Sequence, residues 1–282
     1  MNDTWRIAAK RLRGPTFIGM VGLVCVLIVF PFYWMVVTSM QSGTGLFSYP
    51  PKFLPDNYRL QSYYAVFTNT DLARWMRNSL IVAVVSTILA LVTGISGAYA
   101  LSRFRYRAKN AFALTILTTQ MIPPLVLVIP LFTIFIKLKL TDKIVGLIVA
   151  NFVFALPVVA WMMKAIFDSI PEEIEEAARI EGASWPYILM RITGPIALPG
   201  IVATGIFSFL QAWDEFMVAR TIVTATERWV ASIGLASFIG IYITPWDEIM
   251  AAAVVFTLPP VILFLCVQRY FIAGLGEGAV KG

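Results

Sequence analysis

The chain has 282 residues, 59% of them hydrophobic and only 13% charged, and its mean hydropathy is +0.80. That composition excludes an ordinary soluble globular domain and makes a membrane protein the class to be read. The net charge of +6 has no soluble basic domain to sit on, which excludes nucleic acid as a partner, and the absence of histidine removes the commonest general base and transition-metal ligand.

A helix needs roughly 20 apolar residues to cross a bilayer core of about 30 Å. Six runs without Asp, Glu, Lys or Arg meet that length: 17–37, 78–102, 110–136, 144–163, 192–213 and 249–268. They predict an all-α membrane protein with six transmembrane helices. The first run follows Lys10, Arg11 and Arg13. It exceeds the roughly 7–15 residues of a signal h-region and no small-residue cleavage site follows, so it reads as a retained anchor. Residues 38–77 are rich in proline and aromatics, from Pro50-Pro51-Lys52-Phe53-Leu54-Pro55 to Tyr63, Tyr64 and Phe67, and are predicted to fold over the membrane surface. The third run is interrupted by Met121-Ile122-Pro123-Pro124 and Pro130, the fourth by Pro157. Proline removes a backbone donor and kinks a helix; kinks that serve packing and kinks that line a translocation path both fit. Cys25 and Cys266 lie within runs, where a small apolar side chain explains them without a disulfide or metal.

Basic residues orient the spans. With the N-terminus inside, the inner segments hold Arg6, Lys10, Arg11, Arg13, Arg103, Arg105, Arg107, Lys109, Lys164, Arg179, Arg191, Arg269 and Lys281, which is 13 of 22. The positive-inside rule then places both termini in the cytoplasm, although Lys137, Lys139 and Lys143 on a short outer turn run against it.

Between the fourth and fifth runs, five of the sixteen acidic residues fall from Glu172 to Glu181, opposed only by Arg179. Ser169 and Glu172 have capping-box spacing, and the first-turn glutamates complement the helix dipole. Ile174, Ala177 and Ala178 stand at helical spacing as a narrow stripe of small residues open to close approach. Gly182 suits a left-handed cap, and Ser184 the start of a second helix. By physics alone this loop is equally well a solvated connector.

Glu176-Ala177-Ala178, Gly182, Ile192 and Pro195 resemble the EAA loop of binding-protein-dependent ABC importer permeases, with one departure: Gly194 stands where leucine is usual. The resemblance extends to Thr38-Ser39, Asn57-Tyr58, Asn78-Ser79-Leu80, Ala98-Tyr99-Ala100, Ile129-Pro130-Leu131, Trp213-Asp214-Glu215-Phe216 and Gly278-Ala279-Val280-Lys281-Gly282. Asn is commoner than Asp214. The pattern is that of the sugar-importer branch, the smaller permease of the maltose type.

The resemblance implies a type I ABC importer permease fold. It divides the chain into a segment 1–70 holding the first helix and first outer segment, a core 71–272 with the EAA loop at 168–196, and a cytoplasmic tail 273–282. A second homologous permease, two ATPase subunits, an extracytoplasmic solute-binding protein and membrane lipid are the implied partners. Glu176 is expected to make the polar contact with an ATPase, Ala177 and Ala178 the close-packed one, and Gly182 the turn. No Gly-x-x-x-x-Gly-Lys-Ser/Thr loop is present, so ATP and magnesium are expected on the partner ATPases, with no cofactor on this chain and no catalysis by it. Trp161, Trp213 and Phe216 are candidates for stacking on a sugar along the pathway, against the commoner role of aromatics as packing or interface anchors. The alternative, an ion-coupled secondary transporter, would need ionisable residues inside the spans, which the six runs lack.

Overall fold

The computed structural model describes the backbone of residues 3–41, 46–55, 58–240 and 244–278, and side chains from residue 17 to residue 268 within those segments. Asn57, residues 279–282 of the tail and the side chains of Arg6, Lys10, Arg11, Arg13, Arg269 and Lys281 lie outside the described residues. Among the described residues every regular element is helical.

The chain forms two compact units, residues 1–70 with 238–257 and residues 71–237 with 258–282. In the first, α1 (Asp3–Ser39) carries the apolar run 17–37 with its side chains largely exposed, as a lipid-facing helix requires. Its end is tied to the aromatic-rich segment after it. Tyr33 Oη donates to the Phe53 carbonyl at 2.5 Å, Trp34 meets the Phe53 ring edge-on at 5.8 Å, and Ser39 Oγ lies 2.8 Å from Tyr63 Oη on α2 (Gln61–Asn69). Ser62 donates to Asp247 Oδ2 at 2.9 Å, near the start of the long helix Trp246–Gly278, whose later residues belong to the second unit.

The second unit is built on three long helices, α3 (Leu72–Arg103), α6 (Ile144–Asp168) and α9 (Gly194–Trp213), with α3 and α6 sharing the most extensive contact. Small side chains set that contact. Ala83, Ala90, Gly94 and Ala98 are buried along one face of α3, and Ala150, Ala155 and Ala160 along α6. In a bilayer, where lipid is as apolar as leucine, close backbone approach and dispersion hold helices together. At Gly94 the approach is close enough that a β-carbon would stand 2.6 Å from Val159 Cγ1. Two cores result: one around Ala90, Tyr99, Val159, Met163 and Phe167, the other around Val82, Phe135, Leu147, Ile222 and Ile233.

The expected third span is not one kinked helix. α4 (Lys109–Gln120) and α5 (Pro124–Lys137) meet at 100°. Pro124 forces Pro123 into an extended conformation, φ −57° and ψ 131°, and then serves as the first residue of α5. At 1.5 Å per residue, α4 is about 18 Å long and α5 about 21 Å, so neither crosses the bilayer core alone. Pro130 and Pro157, by contrast, lie inside continuous helices. Among the described residues, five helices are long and apolar enough to span, and six if the bent pair counts as one.

Far from the acidic loop, the segment after α9 is pinned to α3. Trp75 Nε1 donates to the Thr226 carbonyl at 3.0 Å, Asn78 Nδ2 to the carbonyls of Glu227 at 3.1 Å and Trp229 at 2.9 Å, and the Ala231 N–H to Ser79 Oγ at 2.8 Å. Asp142, between α5 and α6, accepts from the N–H groups of Ala225 and Thr224 and pairs with Arg228 at 3.0 Å. The Ala225 bond most of all holds the Asp142 carboxyl below its ordinary range.

The Gly94 contact makes a test. Replacing a helical glycine with alanine ordinarily gains roughly 0.5–1 kcal/mol, whereas overpacking costs about 1–3 kcal/mol. Gly97→Ala, with nothing within 4 Å of the added carbon, is expected to raise the thermal midpoint in detergent. Gly94→Ala is expected to lower it, and Val159→Ala to restore it. Equal midpoints for the two alanine variants would contradict the close α3–α6 approach.

Candidate functional site

The acidic loop folds as α7 (Glu172–Ile180), a turn through Gly182, and α8 (Trp185–Ile188), which runs through a π-helical turn (Leu189–Thr193) into α9. Glutamates and alanines favour helix, and Glu172, Glu173 and Glu175 occupy the first turn, where the dipole is complemented. The expected capping box does not form. Ser169 belongs to the end of α6, donating from Oγ to the Ile166 carbonyl at 2.7 Å, and Pro171 takes the N-cap of α7. A proline at position 171 pushes Ile170 out of helical geometry, so one helix must end before the other begins.

The far end matches its expectation. Gly182 has φ +88°; its N–H donates to the Arg179 carbonyl and that of Ala183 to the Ala178 carbonyl, each at 3.0 Å, the paired bonds of a Schellman cap. Ser184 stands at the N-cap of α8, although its side chain makes no capping bond.

The inward face of α7 differs from the expected stripe. Its buried residues are Glu175 (3% exposed) and Ala178 (9%), while Ile174, Glu176 and Ala177 are exposed and Ile180 is 89% exposed. Ala178 therefore packs mostly within its own chain and reaches the surface only at the groove beside Gly182, while Ala177 is exposed. At 100° per residue, adjacent alanines cannot share one narrow face.

Glu175 is held on both oxygens. Arg103 Nε and Thr193 Oγ1 each donate to Oε1 at 2.9 Å, and Tyr99 Oη donates to Oε2 at 2.7 Å. The Arg103–Glu175 ion pair is buried, and Arg103 also donates to the Ile170 carbonyl at 2.9 Å. Ser102 donates to Asp168 Oδ1 at 2.6 Å. Aromatic rings close the site: Phe104 packs on Trp185 at 4.9 Å and Tyr99 on Phe167 at 5.4 Å, and the Arg179 guanidinium lies 4.5 Å from the Trp185 ring centre. A buried carboxylate with three donors and a paired guanidinium is the arrangement that a low-dielectric site demands.

Grooves flank the exposed surface of α7. One, of about 610 Å³, is lined by Arg103, Asp168, Glu172, Glu173 and Glu176, the other, of about 570 Å³, by Ala178, Gly182, Tyr187, Arg191 and Ile192. Ile192 lies in the π-helical turn and Pro195 in the first turn of α9. Gly194 has a local reason for replacing the usual leucine: its N–H closes the π turn on the Leu189 carbonyl, and a β-carbon there would stand 2.5 Å from that oxygen.

The aromatic candidates separate. Trp213 is 1% exposed and stacked on Phe209 at 5.6 Å, and Phe216 packs against the core around Ile222. Trp213 is thus a packing residue in this structure, whereas Phe216 is half-buried at the edge of that core. Trp161 is exposed, with the Lys164 ammonium 5.9 Å from its ring centre. Glu215, beside Trp213, accepts from the Val218 and Ala219 N–H groups at 2.6 and 2.8 Å; burial nonetheless pushes its carboxyl above the ordinary value.

Residues 87–276 match the model of the family described as binding-protein-dependent transport system inner membrane component. The chain belongs to this family. It is 34% identical to the inner membrane ABC transporter permease protein YcjP of Escherichia coli, over 92% of this chain and 94% of that one. It is 31% identical to the trehalose/maltose transport system permease protein MalG of Thermococcus litoralis, over 92% and 94%. A solved bacterial ABC transporter involved in import of the acidic polysaccharide alginate shares the fold, with a TM-score of 0.77 at 22% identity over 93% and 98% of the two chains. The protein is thus an ABC importer permease subunit, a transport component rather than an enzyme, and the ion-coupled alternative has no support.

Sequence reasoning missed Glu175 and Ile180. The available signals were Tyr99 and Arg103 at i, i+4 on α3, and an isoleucine off the apolar stripe of an acidic helix.

The Gly182 cap can be tested apart from side-chain contacts. Nothing lies within 4 Å of an added β-carbon, so only the left-handed backbone penalty of roughly 1–2 kcal/mol applies. Gly182→Ala and Gly182→Leu are expected to be equally susceptible to proteolysis in the loop and more so than Gly182→Asn. A leucine variant much worse than alanine would point to a contact cost instead.

Proposed function

We propose that this permease, with a second homologous permease, forms the translocation pathway of an ATP-driven importer for a sugar or related polyol, and that α7 is its docking helix for a cytoplasmic ATPase. The observation carrying this reading is the split character of α7. Its inner face is locked into the chain through Glu175, while Glu173, Glu176, Ala177 and Ile180 are exposed. An acidic rim around small and apolar side chains fits a cleft with basic walls and an apolar floor. Glu176 makes the polar contact and Ala177 allows close approach; Ile180 supplies the apolar contact.

The solute class is supported by relatives whose names include trehalose/maltose, sulfoquinovosyl glycerol and diacetylchitobiose transport. One similar solved transporter is described in complex with an alginate-bound periplasmic protein, which supports a solute-binding protein as partner. Both termini and α7 lie on the cytoplasmic side of a prokaryotic membrane, consistent with the basic residues of the inner segments. Residues 1–70, the core 71–272 and the tail 273–282 divide the labour, and ATP with magnesium is bound by the two ATPases, no cofactor by this chain.

Reporter fusions after Glu181 are expected to report cytoplasm, and fusions near Glu227 the outside; an external signal at Glu181 would exclude contact with an ATPase. Glu176→Lys is expected in the membrane in normal amounts, because Glu176 is exposed. It should lose ATPase retention on purification by about a hundredfold or more, as leaving a partner's buried charge unpaired costs roughly 3–5 kcal/mol. Full retention and uptake in that variant would make α7 a mere connector. Vesicles holding this polypeptide alone are expected neither to hydrolyse ATP nor to accumulate solute, and accumulation there would refute the heteromeric reading.

A further inference from the structure

Glu175 has no place in docking, since its carboxylate points away from the exposed side of α7. It instead joins three parts of the unit. Its oxygens take Arg103 Nε at 2.9 Å and Tyr99 Oη at 2.7 Å from α3, and Thr193 Oγ1 at 2.9 Å from the turn that opens α9. The covalent routes out of α7 leave helical geometry at both ends, through Pro171 on one side and the left-handed Gly182 turn on the other. Buried charge-assisted bonds are short and directional, and no water competes for them. The carboxylate thus links α7 to α3 and to the turn that opens α9 by a route separate from the chain itself.

We propose that Glu175 is a positioning residue of transport: it makes α7 one rigid body with the ends of α3 and α9, so that movement of the docked ATPases is delivered to those two helices. The proposal rests on α7 being the docking helix, and the two ideas fail separately, because docking is tested at the exposed Glu176.

The test uses the complete transporter, reconstituted with its ATPases and solute-binding protein. Glu175→Gln keeps shape and the Thr193 and Tyr99 neighbours but removes the ion pair; Thr193→Val removes only the bond toward α9. Retention of the ATPase subunits and basal ATP hydrolysis are expected to stay within about twofold of the parent. Hydrolysis stimulated by the loaded binding protein, and uptake with it, should fall about tenfold or more in Glu175→Gln, the scale of one charge-assisted bond, and less in Thr193→Val. Undiminished stimulation in Glu175→Gln overturns the proposal. So does a loss of retention that matches the loss of stimulation, since the pair would then only keep α7 folded. If Glu175→Gln fails to reach the membrane, Thr193→Val decides: reduced stimulation with intact retention supports the joint, and unchanged stimulation refutes it.

Discussion

One ion pair, Arg103 with Glu175, fixes where the rest of the functional loop can stand. Both groups are almost fully buried, and removing water from two charges is costly unless each finds a partner and further hydrogen bonds. Here each does: Glu175 takes Tyr99 and Thr193 as additional donors, and Arg103 takes the Ile170 carbonyl as an additional acceptor. Losing one member would strand the other, a loss on the order of 3–5 kcal/mol. The pair thus lies on the inner side of α7, away from the residues that face outward.

The consequence is a division of labour between two adjacent glutamates. Successive helical positions differ by 100°, so a helix that buries Glu175 must turn Glu176 toward the surface. One carboxylate belongs to the fold and the other is available to a partner. Ala178 and Ala177 repeat the division one turn later, with Ala178 under the helix and Ala177 on it. Gly182 then reverses the chain in the left-handed region, and the Schellman cap satisfies carbonyls that would otherwise lie bare at the membrane surface.

Hydropathy made the spans legible, because a run of charge-free residues long enough to cross a bilayer has few other uses. It did not show the break at 121–123, since Met121 and Ile122 are as apolar as their surroundings and only Pro123-Pro124 marks the 100° turn. The cap at Gly182 was readable locally, because glycine after a helix has a local cause. Glu175 was not. Among neighbouring glutamates it looks solvated, and its partners Arg103 and Tyr99 are 72 and 76 residues away. Trp213 was hard to place for a similar reason: an aromatic residue reads the same whether it lines a path or fills a core, and only its burial against Phe209 separates the two. Asn78-Ser79 could be noticed as a pattern, yet its cause lies about 150 residues later, in the carbonyls of Glu227 and Trp229 and the N–H of Ala231.

That last pairing gives α3 its meaning. At one end it carries Tyr99 and Arg103 to the acidic helix, and at the other Trp75, Asn78 and Ser79 to the segment 226–231. Its 32 residues are about 48 Å long, enough to cross the bilayer with turns to spare on each side. Its middle is packed against α6 through small residues, where the Gly94–Val159 contact leaves no room for a β-carbon. The helix is therefore held by polar bonds at both ends and by close packing between them. Both attachments are made by side chains of α3 itself, so the link from Glu175 to residues 226–231 does not run through the broken helices α4 and α5.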